Sequence, residues 1–255
     1  MTLDSTKLSA YDKSVVAGLF LSKFNSTGLK FLGFSSFKEA FNAIGLALAT
    51  KPASIKNYRD EFDPYFPSGR KGWRKRGMQS DRQVIYESFK DMELEPLADF
   101  LRTSIYGGDL GLLREIGGGE EAGETESSFA KRLITGLAAE NYFASVHPRL
   151  PVLRDYRIEN VSRVGCGFDF KLSNGGSSDY LAVEVKGLNE PRGTVALTEK
   201  EHKVAGLLTD RFFLFVVRNF RETPLHNIYR NPLNGGLSFA RYERPVIQVS
   251  WRTTI

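Results

Sequence analysis

The spacing of apolar residues changes partway along the chain, and this change constrains the fold more than any other feature. In the first part, apolar side chains recur at helical spacing, whereas the later part contains short runs of β-type residues. Between them lies Gly117 to Ser128, a segment rich in Gly and Glu without apolar periodicity, which is typical of a solvated linker. The sequence therefore predicts three regions: a helical domain over 1–116, a linker over 117–128 and a mixed domain over 129–255.

The first domain is predicted to be helical throughout. Apolar residues line one face of each periodic segment. Ser35 or Ser36 is the expected N-cap of the second helix, and Pro52 suits the entry to the third because its missing N–H costs nothing there. The predicted helices cover approximately 14–24, 36–48, 53–62, 81–89 and 96–106.

Two of these helices, separated by a break over 49–52, have the pattern of a helix-turn-helix. In such elements the N-terminal part of the second helix contacts DNA bases and phosphates. The residues predicted to make these contacts are Ser54, Lys56, Asn57 and Arg59. An ordinary pair of antiparallel helices produces the same pattern, so this alternative stays open.

A basic, glycine-flanked segment over 69–77 follows the second helix. Clustered cations suit contact with phosphates, and a tryptophan among them can stack on bases or wedge between them. The residues predicted to bind DNA here are Arg70, Lys71, Trp73, Arg74, Lys75 and Arg76. The formal net charge of +5 is compatible with a polyanionic partner, although a solvated charged loop remains the alternative.

The second domain is predicted to be a mixed β-sheet flanked by helices, which makes the whole chain an α+β or α/β protein. A helix is expected over 129–145, and a second over 199–208, where Thr198 and Glu201 form a capping-box pattern. The predicted strands cover 156–161, 166–172, 180–186, 211–217 and 246–251.

Charged residues interrupt two of these apolar strands. Along 182–186 the alternation places Glu184 and Lys186 on one face, because side chains alternate across a strand. A turn over 173–178 folds the preceding strand back, which brings Asp169 next to Glu184. Two carboxylates and one ammonium are therefore expected to converge.

This arrangement suits phosphodiester hydrolysis. Asp169 and Glu184 can hold Mg²⁺, with Mn²⁺ as a substitute, and the backbone carbonyl of Val185 can serve as a further ligand. The ion lowers the pKa of a bound water, and Lys186 can orient that water or stabilise the developing charge. The single Cys166 and three scattered histidines exclude a cysteine-based zinc site and do not favour a His-rich metal site.

The alternative is that Asp169, Glu184 and Lys186 are ordinary solvated residues on the open face of a sheet. Four motifs, in a fixed order along the sequence, favour the catalytic interpretation. They are Ala139-Glu140, Gly167-Phe-Asp-Phe170, Val183-Glu-Val-Lys-Gly187 and Thr198-Glu-Lys-Glu201. Together they resemble the PD-(D/E)XK nuclease superfamily, with a restriction-endonuclease-like fold, and most closely its protein NO VEIN C-terminal branch, also called DUF3883-like. Phe168 stands where the superfamily's conventional proline would be.

The resemblance implies a metal-dependent endodeoxyribonuclease in which Glu140 joins Asp169, Glu184 and Lys186 as a catalytic residue. With the helical reader, we expect a Mg²⁺-dependent restriction endonuclease that acts on double-stranded DNA as a homodimer. Two alternatives remain: a sequence-specific DNA-binding regulatory protein with an inactive core, and a nuclease for modified or structured nucleic acid. No secretory signal or membrane span is seen in the sequence, so a cytoplasmic location is expected.

Overall fold

A five-stranded sheet and eight α-helices make up the part of the chain that the computed structural model describes. A mixed α+β fold, as the change of period predicts, is therefore confirmed. None of the helices in this part combines the length and apolar character needed to cross a membrane. The described residues are 8–67, 69–72, 77–107, 126–175, 179–234, 236–243, 251 and 253.

Six helices precede residue 108. Of the two candidate N-caps, Ser36 is the one that caps the helix, because its side chain accepts a hydrogen bond from the Glu39 N–H. Pro52 lies at the entry to the next helix, as predicted, and is its first residue. The helices are α1 (Ala10–Lys23), α2 (Asn25–Phe31), α3 (Phe37–Ala47), α4 (Pro52–Phe62), α5 (Ser80–Phe89) and α6 (Leu94–Tyr106).

The seven-residue helix α2 was not predicted. It contains Ser26, Thr27 and Gly28, which have low helix propensity, and no side chain caps its start. Leu29 and the following Leu32 are buried in the core, so tertiary packing stabilises a turn of helix that local propensity does not favour.

After residue 125, the described residues form two α-helices and the five strands of the sheet. β1 pairs with β2 and β2 with β3 in antiparallel fashion, β3 and β4 are parallel, and β5 is antiparallel to β4. Helix α8 makes the crossover between the parallel strands, as such a connection requires. The bounds are α7 (Glu126–Val146), β1 (Arg157–Asn160), β2 (Phe170–Ser173), β3 (Tyr180–Gly187), α8 (Glu199–Leu208), β4 (Phe212–Arg218) and β5 (Leu225–Arg230).

Two predictions about this part need correction. Helix α7 begins at Glu126, so residues 126–128 belong to a helix and not to the predicted linker, most of which lies outside the described residues. The edge strand β5 was missed, because His226 and Asn227 break the apolar alternation of an exposed edge. Most of the strand predicted over 246–251 also lies outside the described residues.

The hydrophobic core runs without interruption from the N-terminal helices to the sheet. Helix α3 packs against α7, and α7 in turn covers β3 and β4. Phe143 of α7 contacts both Phe170 and Phe215, with ring centroids 4.9 Å apart in each case. The division into domains 1–116 and 129–255 stays a prediction, but the two parts share one core.

The two faces of the sheet differ. Val183 and Val185 of β3 point toward α7 and the main core, whereas Ala182 packs in a smaller cluster with Ala205 of α8 and Phe212. The face toward α8 therefore has less apolar cover, and it is the face on which Glu184 and Lys186 lie.

A polar contact between the two parts leads to a stability prediction. The buried Asn42 side chain of α3 donates to the carbonyls of Phe220 (2.7 Å) and Glu222 (2.9 Å), beyond β4. Asn42→Ala leaves both carbonyls without this donor, so we expect the free energy of unfolding to fall by about 1–3 kcal/mol, measured by urea denaturation.

A matched control lies one turn earlier on the same helix. Lys38 of α3 pairs with Glu222 at 2.5 Å, but both side chains are more than half exposed. Lys38→Ala should therefore change the free energy of unfolding by less than about 1 kcal/mol. Equal losses in the two variants would contradict the importance assigned to the buried contact.

Candidate active site

Asp169 lies immediately before β2 and is held against the middle of β3. Its N–H donates to the Val183 carbonyl (3.0 Å), and its Oδ2 accepts from the Val185 N–H (2.8 Å). The antiparallel register that pairs Phe170 with Val183 places Asp169 beside Glu184. The predicted folding of one strand onto the other is what brings these two carboxyl groups together.

Glu184 and Lys186 share one face of β3. Lys186 Nζ lies 2.6 Å from Glu184 Oε1, and Glu184 is almost completely buried, with 3% of the residue exposed. Strand alternation explains this directly, since the intervening Val185 packs into the core on the opposite face.

Glu201 is the second carboxylate in contact with Lys186. Lys186 Nζ donates to Glu201 Oε2 at 2.8 Å, and the same oxygen accepts from the Thr198 N–H at 2.9 Å. The capping box predicted from Thr198 and Glu201 is present, but its contact with Lys186 was missed. A crossover helix that starts shortly after β3 was the available signal, because its first turn lies near the end of that strand.

Glu140 reaches the same region from α7. It is half-buried, and its Oε2 accepts a long hydrogen bond from Asn160 Nδ2 of β1 (3.4 Å). Asn160 pairs with Phe170, the residue after Asp169, and the charge of Glu140 helps to raise the pKa of Asp169. We refer below to five residues as the carboxylate–lysine cluster: Glu140, Asp169, Glu184, Lys186 and Glu201.

Burial and like charge raise the pKa values of the acidic members. Burial is the larger cause for Asp169 and, together with the charge of Glu140, raises its pKa to about 6, although the Val185 N–H opposes the shift. Burial and then the charge of Asp169 raise the pKa of Glu184 to about 8. Burial likewise raises the pKa of Glu140. The site therefore holds carboxylates that resist ionisation.

The pKa of the Lys186 ammonium is also raised, which favours its charged form. Burial acts to lower the pKa of its ammonium, but the charges and hydrogen bonds of Glu184 and Glu201 outweigh it and raise the pKa. Lys186 is thus held as a cation between two carboxyl groups that belong to different elements, β3 and α8.

The chemistry of this cluster fits a divalent cation. The cluster contains one ammonium and four carboxyl groups, and the adjacent Asp169 and Glu184 repel each other when both are ionised. A hard cation with oxygen ligands would relieve that repulsion. Across the described ranges, however, no group of three or more His, Cys, Asp or Glu side chains is arranged to hold a metal ion, so side chains alone do not complete a coordination sphere.

The residues predicted to read DNA through α4 differ in their environments. Lys56 and Asn57 are exposed, Ser54 is partly exposed, and Lys56 pairs with Asp60 of the next turn (2.9 Å). Arg59 is only 11% exposed, because it pairs with Asp60 and lies over the Phe37 and Phe41 rings. This packing argues against the predicted DNA contact of Arg59.

The basic segment over 69–77 likewise contains both an exposed and an internally paired cation. Lys71 is exposed, but Arg70 bonds through two nitrogens to the buried carboxylate of Asp63 and also lies over the Phe37 ring. Arg70 is thus better explained by internal pairing than by the predicted DNA contact. The predicted contacts of Trp73, Arg74, Lys75 and Arg76 lie outside the described residues.

Comparison with known proteins finds one family. Residues 140–230 match the family described as Protein NO VEIN, C-terminal, whereas neither curated proteins nor solved structures give a match. The matched segment begins at Glu140 and contains every member of the carboxylate–lysine cluster. The resemblance predicted from the four motifs is therefore confirmed: residues 140–230, which contain the whole cluster, match the NO VEIN C-terminal family model.

Proposed function

We propose that this protein is a Mg²⁺-dependent endodeoxyribonuclease of the PD-(D/E)XK type that cuts double-stranded DNA at specific sites. The observation that carries the proposal is the convergence of Asp169, Glu184 and Lys186 on one face of the sheet. The family match supports the coarser part of this statement, a nuclease-like or DNA-related role.

Each residue has a role that follows from its position. Asp169 and Glu184 would hold Mg²⁺, with Mn²⁺ as a substitute, and Glu140 and the Val185 carbonyl are further oxygen donors nearby. When bound, the ion would supply an acidified water and charge neutralisation on the phosphate. Waters and phosphate oxygens would complete the coordination, as is usual for Mg²⁺.

Lys186 is the member of the carboxylate–lysine cluster that carries a positive charge. Its ammonium lies 2.6 Å from Glu184 and is kept protonated by two carboxyl groups. From this position it would orient the attacking water by a hydrogen bond and stabilise the charge that develops on the phosphate. The buried setting strengthens both interactions, because water screens them less.

The helical part would supply DNA recognition. Helices α3 and α4 are consecutive and packed against each other, and the start of α4 exposes Ser54, Lys56 and Asn57. Among the described residues predicted to bind DNA, these three and Lys71 are the ones that internal pairing does not bury, and we propose that they act in a DNA-reading helix-turn-helix and its basic segment. We also propose that the protein acts as a restriction endonuclease and as a homodimer. Cutting both DNA strands needs two active sites, which two copies of the chain would supply.

The first prediction concerns cleavage. Purified protein should cut plasmid DNA into discrete fragments with Mg²⁺ and give no fragments with EDTA. Methylated and unmethylated plasmids are compared, because the one that is cut shows whether methylation blocks or triggers cleavage. Glu184→Ala and Lys186→Ala should each reduce the cleavage rate by about 10²-fold or more, because each removes charge from the reacting centre. DNA affinity, measured by gel shift, should remain.

Glu159→Gln is the matched control, since this exposed β1 residue lies outside the cluster and should cut like the unaltered protein. Retained cutting by both cluster variants would contradict the assignment. Binding of DNA without cleavage of either plasmid would favour a DNA-binding regulatory protein with an inactive core.

The second prediction concerns pH. Because the pKa of Glu184 is raised from its ordinary 4.5 to about 8, the folded protein holds a proton that the unfolded chain releases between those values. The free energy of unfolding without metal should therefore fall as pH rises from 4.5 to about 8. Glu184→Gln should weaken this dependence, as urea titrations at pH 5.5 and 8 would show. Identical slopes would contradict the burial of an ionisable Glu184.

The third prediction concerns DNA reading. Lys56→Ala should weaken DNA binding and reduce the salt slope of the affinity by about 1 if the lysine contacts one phosphate. Asn57→Ala should reduce the preference for the recognised sequence more than the affinity for other DNA. Lys30→Ala, which alters an exposed lysine on α2, is the control and should leave binding unchanged. An equal loss in the control would indicate a purely non-specific charge effect.

A further inference from the structure

Glu201 is a largely buried carboxylate to which the proposed hydrolysis assigns no role. Its side chain is 16% exposed, and its Oε2 accepts from two donors, Lys186 Nζ (2.8 Å) and the Thr198 N–H (2.9 Å). The second bond belongs to the capping box of α8. The first is not needed for capping and points into the carboxylate–lysine cluster.

We propose that Glu201 is a positioning residue, which fixes the Lys186 ammonium beside Asp169 and Glu184. This inference rests on the proposed nuclease function, because it assigns Glu201 a part in the same site. Glu201 would act through the lysine and would not itself touch the phosphate.

The physical reason lies in the flexibility of lysine. A four-carbon side chain has several rotatable bonds, and a single ion pair with Glu184 would not fix where the ammonium lies. A second carboxylate on a different element adds an independent constraint: Lys186 Nζ lies 2.6 Å from Glu184 Oε1 on β3 and 2.8 Å from Glu201 Oε2 on α8. Catalysis by a charged group depends on such placement, since small displacements reduce the rate strongly.

The helix that carries Glu201 is itself fixed against the loop that carries Asp169. Gly167 has φ +96°, and a Cβ at this position would lie 2.9 Å from Val204 Cγ2 and 3.3 Å from the Lys200 carbonyl oxygen. Lys200 Nζ also donates to the Gly165 carbonyl. The loop over 165–167 and the start of α8 are thus in close contact, so Asp169 and Glu201 share one support.

The test compares single-turnover cleavage rates of duplex DNA by the whole 255-residue chain. Glu201→Gln should lower the rate by about 10- to 100-fold, the usual effect of losing a supporting contact, with unchanged DNA affinity. Glu199→Gln removes the same charge from the same turn of α8, but Glu199 is exposed and should keep the unaltered rate. Equal losses in both variants would overturn the proposal.

A third variant separates positioning from helix capping. Thr198→Ala removes the hydroxyl that caps the Glu201 N–H (3.2 Å) but leaves the Glu201 carboxylate in place. It should lower stability while keeping most of the cleavage rate. A rate loss as large as that of Glu201→Gln would mean that Glu201 only caps the helix, and would overturn the proposal.

A double-mutant cycle tests the contact without requiring cleavage. The free energies of unfolding of Lys186→Met, Glu201→Gln and the double variant should be non-additive, because both changes remove the same contact. Additive effects would overturn the inference. If the unaltered protein cuts no DNA but the cycle shows coupling, the nuclease proposal fails, while the fixing of Lys186 by Glu201 stands.

Discussion

The ammonium of Lys186 lies between two carboxyl groups, and the geometry of the candidate site depends on this shared ion pair, which joins β3 to α8. Glu184 is almost completely buried on β3, and an isolated carboxylate there would be costly. Lys186 offsets part of that cost, and Glu201 on α8 offsets the cost of burying the lysine. Asp169 adds a further buried carboxyl group that the lysine alone does not neutralise. The cluster therefore contains more carboxyl groups than cations, which is the condition that the proposed cation site requires.

The fold meets this electrostatic demand with three separate supports. Strand β3 supplies two of the charged groups by simple alternation, while its other face is sealed by Val183, Val185 and α7. The loop before β2 presents Asp169 to the Val185 N–H, and the crossover helix α8 brings Glu201. Each support is packed independently of the charges. Local packing can therefore hold groups that repel one another when ionised, as functional sites commonly require.

Local periodicity in the sequence was sufficient to predict the features of this structure that neighbouring residues determine. Alternation was enough to place Glu184 and Lys186 on one face, and the capping pattern was enough to start α8 after Thr198. Tertiary contacts are not encoded in such patterns: Arg59, which is predicted to contact DNA, has a cationic side chain that packs over the Phe37 and Phe41 rings. Likewise, the link from Glu201 to Lys186 joins two elements whose distance no local pattern encodes.

The shared core has a consequence for how recognition and cleavage would be coupled. Helix α7 carries Glu140 at the cluster, and it also packs against α3, which packs against α4. Asn42 of α3 further binds the backbone beyond β4, the strand that pairs with β3. The proposed reading helix and the proposed cutting site are thus linked by contacts through one continuous core. A core packed this tightly resists continuous deformation, so the distance between a bound sequence and the cut would be set by the fold rather than by a flexible tether.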